Sequence, residues 1–183
     1  LHRTYVGDEA QPQRGVMALR SGIVHHGLVT DWQSLEKLLH HSFYNELRVD
    51  PSEHSVLITS KVDAPKSQKE RLTQLLFETF QVPAVHIENA QCLALYSAGR
   101  TTGVVVDIGA SGVDVVPVCE GYALPHAATT SGAIGGDQVT DYFQRILTER
   151  GYAFTTAAER DVVRHLKETL CAASAAATSL TSS

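Results

Sequence analysis

Residues 101–126 constrain the fold of this chain more than any other stretch. Two valine-rich runs, at 104–106 and 113–118, flank a turn that carries Gly109 and Gly112. Such runs on either side of a short glycine-bearing turn predict a hairpin of buried strands. Asp107 closes the first strand, and the turn Ile108-Gly109-Ala110-Ser111-Gly112 exposes backbone N–H groups with little side chain around them. Glycine accepts positive φ and lets a ligand approach the main chain, so a turn of this kind can form an anion-binding nest. An aspartate beside it is placed to hold Mg²⁺ through water, because that ion keeps much of its hydration shell. The same turn also has an ordinary reading, as a purely structural hairpin loop.

The rest of the composition bounds what such a hairpin can serve. With 183 residues the chain can build one sizeable core or two small lobes. Its net charge of -5 argues against a nucleic-acid or anionic-membrane surface. No apolar run approaches the roughly 18 residues that cross a bilayer. Cys92, Cys119 and Cys171 are odd in number and form no CxxC pair, which suits a reducing intracellular compartment.

Strands and helices alternate along the chain, which predicts an α/β class. Residues 15–20 read as a short strand, and Thr30-Asp31-Trp32-Gln33 as a capping box opening a helix. Trp32, Leu35, Leu38, Leu39 and Phe43 then recur at helical spacing and predict a core face. A strand is expected at 56–59, followed by a helix from Pro65 with the stripe Leu72, Leu75, Leu76 and Phe80. Another strand at 84–87 and a short helix at 92–96 precede the hairpin. Gly135-Gly136-Asp137 opens a further helix through Val139, Tyr142, Phe143, Ile146 and Leu147. A second capping box, Thr156-Ala157-Ala158-Glu159, leads to Val162, Val163, Leu166 and Leu170. Residues 172–183 are low in complexity and read as a frayed tail. The pairs His25-His26 and His40-His41 lack a supporting cysteine or carboxylate cluster, so they read as structural rather than metal-binding.

Several long motifs then narrow the reading. They are Tyr5-Val6-Gly7-Asp8-Glu9-Ala10-Gln11, His40-His41 with Phe43-Tyr44-Asn45-Glu46-Leu47-Arg48-Val49, and Phe77-Glu78-Thr79-Phe80. To these are added Ser97-Ala98-Gly99-Arg100-Thr101-Thr102-Gly103, Glu120-Gly121-Tyr122-Ala123-Leu124-Pro125-His126 and Leu147-Thr148-Glu149-Arg150-Gly151-Tyr152. In content and order they resemble the actin and actin-related family. The resemblance implies an actin-like ATPase fold of the ribonuclease-H-like kind, incomplete, with mixed sheets flanked by helices. It implies about half of that fold. Residues 1–21 would end the small lobe, 22–97 form the first large lobe, 98–133 the second, and 134–171 the start of the fourth subdomain, before the tail at 172–183.

The same resemblance implies ATP with magnesium as cofactor. Asp107 would organise the magnesium waters, and Gly109, Ser111, Gly112 and Gly135 would lie along the nucleotide. Several positions depart from the family's pattern. Ala110 stands where a second aspartate is usual, Ser111 replaces a glycine, Asp114 replaces a histidine, and Gly136 replaces an arginine. A water-orienting glutamine falls on Ala90, while Gln91 is one place away and is expected to point elsewhere. Phosphoryl transfer to water depends on positioning the nucleophile and neutralising charge, so these losses imply a weak ATP binder with impaired hydrolysis. The implied role is a cytoskeletal or assembly component in the cytoplasm, with actin or actin-related subunits and actin-binding proteins as partners, no direct nucleic acid and no membrane. Two alternatives remain open. One is a non-catalytic subunit of a larger complex such as a nuclear chromatin remodeller, the other a truncated product without independent function.

Overall fold

Asp31, not Thr30, starts the first helix. In the computed structural model, which describes residues 5–10, 12, 13, 16, 17 and 22–172, its carboxylate accepts from the Ser34 N–H at 3.1 Å and caps α1 (Trp32–His40). Thr30 is drawn elsewhere: its hydroxyl donates to the Gly22 and Ile23 carbonyls at 2.8 and 3.0 Å. Those bonds close the base of a small antiparallel hairpin, β1 (Val24–His25) and β2 (Leu28–Val29). Both residues of its turn, His26 and Gly27, have positive φ, the conformation that matches a two-residue hairpin to the twist of its strands.

Past His40 the helix widens into a π-helical turn, His41–Leu47, which Arg48 ends at φ 54°. The buried His41 is held there by Glu46 at 3.0 Å from Nε2 and by the Asn45 amide at 2.8 Å from Nδ1. Leu35 and Phe43 from this segment meet Leu72 and Leu76 of α2 (Lys66–Glu78) and the following Phe80 and Val82 in one core. Pro65 precedes α2 in an extended conformation, which lets the helix start at the next residue. The core rests on a parallel pair, β3 (Val56–Ser60) and β4 (Val85–Asn89), in register from Val56↔Val85 to Ser60↔Asn89. Val56, Ile58, Val85 and Ile87 face it, while Leu57 on the alternate face is 58% exposed.

Helix α3 (Ala90–Ser97) follows β4 directly and carries a second core. Its Cys92 and Leu95 pack on Val116 and Val118 of β6 (Val113–Cys119), with Val105 of β5 (Gly103–Ile108) alongside. Burial pushes the Cys92 thiol above its usual range, so it behaves as a small apolar group. β5 and β6 form the antiparallel hairpin foreseen from the valine runs, but the strands are not both buried as expected: Val104, Val106 and Ile108 of β5 are exposed, and only β6 contributes buried residues. β6 also pairs with β7 (Tyr122–Ala123) and β8 (Thr129–Ser131), making a four-stranded sheet.

Two helices complete the described chain, α4 (Gly136–Glu149) and α5 (Ala157–Leu170). The expected apolar stripes on them are narrower in the structure. Val139 and Tyr142 are 51% and 56% exposed, and Val162 and Leu170 are 50% and 71% exposed. The reason is rotation: α5 meets α4 through Arg160, Val163 and Lys167, a face defined by Arg160 bonding Asp141 at 2.7 Å and Lys167 bonding Thr140 at 3.0 Å. The strand expected at 15–20 is not formed at Val16 and Met17, which sit in a turn on the Gln13 carbonyl; the rest of that stretch, except for those two residues, and the tail from 173 lie outside the described residues.

The second capping box forms as read. Thr156 Oγ1 accepts from the Glu159 N–H at 3.2 Å, and the Glu159 carboxylate accepts from the Thr156 and Thr155 N–H groups at 2.8 and 2.7 Å. The Thr156 N–H, with that of Thr155, holds the Glu159 carboxyl below its ordinary 4.5. A depressed folded value means that this stabilisation is complete above 4.5 and is lost as pH falls through the folded value. Loss of the Thr156 hydroxyl cap in Thr156→Ala should cost about 1 kcal/mol in urea unfolding. Glu159→Ala should be less stable than the parent at neutral pH, with the gap closing in acid; a gap that ignores pH would refute the assignment.

Candidate functional site

The core face of the β5–β6 hairpin turns polar at its open end. Alternation places Gly103, Val105 and Asp107 of β5 on the same face as Val118, Val116 and Asp114 of β6, since these residues are direct partners in the register. Val105, Val116 and Val118 enter the core on α3, and the next pair along is two carboxylates, Asp107 opposite Asp114. Like charges directly opposite on a sheet repel. Lys61, immediately beyond the end of β3, answers one of them by charge: its Nζ lies 3.2 Å from Asp114 Oδ1, an ion pair without hydrogen-bond geometry, with the two side chains only 12% and 19% exposed.

Gln91 answers the other. Its amide donates to Asp107 Oδ2 at 3.4 Å, and its Oε1 is buried without a partner among the described residues. This corrects the expectation that Gln91 points away. As the second residue of α3 it shares the buried face with Cys92 and Leu95, and is itself 2% exposed. The helix phase, set by the β4–α3 junction at Asn89, turns Gln91 inward.

The loop at 109–112 is closed by the Gly109 N–H donating to the Gly112 carbonyl at 2.9 Å. No residue in it has positive φ, so it is not the left-handed nest anticipated from its glycines. Its glycines serve close approach instead. A Cβ on Gly112 would fall 2.5 Å from the Ser131 carbonyl oxygen. Gly135 backs the loop so tightly that a Cβ there would lie 2.7 Å from both the Ala110 oxygen and the Gly112 nitrogen. The first N–H groups of α4 then dock on the loop, Gly136 to the Gly109 carbonyl at 3.0 Å and Asp137 to that of Ala110 at 2.8 Å. Lys167 from α5 ties the same turn down through the Gly136 carbonyl at 3.0 Å. The Ala110 and Ser111 N–H groups make no internal bond among the described residues. They are the loop's available donors.

A cavity of about 370 Å³ lies between this loop and the carboxyl ends of β3 and β4. Asp107, Gly109, Ser111 and Gly112 line it together, with Lys61, Gln91, Asp114, Ser60 and Ser131. Gly135 is buried behind the loop rather than on the cavity wall. The β1–β2 turn forms the roof: Gln68 of α2 donates to the Gly27 carbonyl at 3.0 Å and accepts from the Val29 N–H at 2.9 Å. The cavity is within the size range of small-molecule sites. Asp107 is exposed to it and, with the orphaned Gln91 Oε1, offers the hard oxygen donors that suit a hydrated magnesium ion. No cluster of three or more histidine, cysteine or carboxylate side chains that could hold a metal occurs among the described residues, so such an ion would rely on water and phosphate oxygens for the remainder of its shell.

Lys61 and Gln91 were not singled out from the sequence as site residues, although a signal was present. Each follows the carboxyl end of a parallel strand, where ligand sites of α/β sheets gather.

A parallel strand pair and separate antiparallel sheets with flanking helices, and a polar cavity between a strand–turn–strand loop and the ends of the parallel pair, define an α/β protein. The chain belongs to the actin family: the family model described as Actin matches residues 1–183.

Proposed function

We propose that this chain is an actin-type assembly component that binds ATP weakly and hydrolyses it poorly. The observation that carries the reading is the cavity wall itself, where Asp107, Gly109, Ser111 and Gly112 line one space and the Ser111 N–H makes no internal bond among the described residues. Ser111 would donate its N–H and its hydroxyl to a phosphate oxygen. Asp107 and Gln91 would hold the waters of a magnesium ion. When bound, the ion neutralises charge on the β- and γ-phosphates.

Attack by water needs a positioned nucleophile and an acceptor for its proton. Ala110 offers no carboxylate, and Asp114 is engaged by Lys61 instead of standing free toward the cavity. Gln91 restores one amide near Asp107, which alone does not build an attack geometry. The reading therefore separates binding from turnover. Purified full-length protein should retain or take up ATP, seen by mass analysis and calorimetry, while releasing phosphate far more slowly than conventional actin assayed beside it. Turnover equal to conventional actin would overturn the impaired-hydrolysis part, and absence of any nucleotide binding the remainder. Partners in this reading are actin-type subunits and actin-binding proteins, in the cytoplasm and cytoskeleton.

A second reading, a non-catalytic interaction subunit, is favoured by the outer face of β5. Val104, Val106 and Ile108 there are 64%, 59% and 72% exposed, a contiguous apolar row of the kind that marks protein contacts. Stable co-purification with larger subunits and no pelleting in ATP and magnesium would select it.

A further inference from the structure

The charges around the cavity are arranged in a way that nucleotide binding alone does not use. Asp107 and Asp114 face each other across the hairpin, and Lys61 pairs with Asp114 from the opposite wall. Its stem is fixed. A Cβ on Gly27 would fall 2.8 Å from Lys61 Cδ, so the roof turn lies directly on the lysine, and Gln68 clamps that turn in place. Gln91, 2% exposed, lines the same cavity with an amide oxygen that no described residue satisfies, an acceptor that a donor such as water has to answer.

We propose that the Lys61 ammonium is a resident counter-ion in this cavity, serving Asp114 and an incoming polyphosphate in the role a divalent cation otherwise fills. The proposal rests on the nucleotide reading above. A magnesium ion drawn to Asp114 would have to displace Lys61 and leave a largely buried ammonium unpaired, which is unfavourable. Lysine is a compact point charge, suited to phosphate oxygens without demanding octahedral geometry. The consequence is a site that holds a polyphosphate almost as well without magnesium as with it.

Calorimetric titration of ATP into the full chain, in excess magnesium and again in EDTA, tests this directly. The parent should show affinities within about threefold of each other, and Lys61→Met should lose about tenfold or more in EDTA while magnesium restores most of the binding. A parent that binds only with magnesium, or a Lys61→Met protein unchanged in EDTA, overturns the proposal. Lys61→Met combined with Asp114→Asn removes both buried charges and guards against misfolding; it should melt near the parent and still bind poorly in EDTA. Manganese binding followed by electron paramagnetic resonance, without nucleotide, forms an independent arm. Lys61→Met should bind the ion about tenfold more tightly than the parent. Equal manganese binding by the two overturns the counter-ion role even if ATP binds, whereas no ATP binding by any variant, with the manganese difference present, overturns the nucleotide reading alone.

Discussion

Gly135→Ala is expected to lower stability by about 2 kcal/mol and to abolish nucleotide binding, because overpacking against backbone cannot relax by a rotamer change. The new methyl carbon would meet the Ala110 oxygen and Gly112 nitrogen at 2.7 Å and Gln138 Oε1 at 2.8 Å. Two of those three atoms are main chain. Relieving them pushes the loop away from α4 and strains the bonds from Gly136 and Asp137 that dock it. φ at Gly135 is -176°, extended backbone open to any residue, so the effect is steric alone. Gly109→Ala is the matched control: its Cβ would come no nearer than 3.6 Å, to the Gly112 oxygen, and it should change stability little. Urea midpoints for the two variants decide the matter. Equal midpoints would show that the loop does not press on α4 as described.

Leu76→Ala should cost about 3 kcal/mol, the usual range for a leucine truncated in a close-packed core being 2–5. Leu76 is fully buried among Leu35, Phe43, Leu72, Phe80 and Val82. It anchors α2 against the parallel pair whose carboxyl ends precede Lys61 and Gln91. Against a total stability of roughly 5–15 kcal/mol, that is a large fraction of what keeps a domain folded. Leu57→Ala, at a position 58% exposed, should cost under about 1 kcal/mol. Thermal or urea unfolding of both variants should separate them clearly; comparable losses would place the core elsewhere.

What was legible in the chain depended on how local the cause was. The valine runs and their turn predicted the β5–β6 hairpin because strand period and turn chemistry act over a few residues. Thr156 and Glu159 predicted the start of α5 for the same reason, their bonds spanning three positions. Thr30 was misread since its hydroxyl found carbonyls in the hairpin before it, a competitor the helix motif does not contain. The stripes on α4 and α5 were read too wide, because periodicity identifies apolar residues without saying which of them a neighbouring helix will cover.

The cavity divides in the same way. That Asp107 ends a strand ahead of a glycine-bearing turn was readable from its own neighbourhood, and so was the family to which the chain belongs. That Lys61 meets Asp114, that Gln91 turns inward to Asp107, and that Gly135 is pressed against the loop were decided only by tertiary structure. From sequence, Asp114 was a lost histidine; in the fold it is half of a sheltered ion pair. The physical reason is that an element's residues set its period and its caps, whereas the meeting of side chains from distant elements depends on how β3, α3 and the hairpin pack around two shared cores.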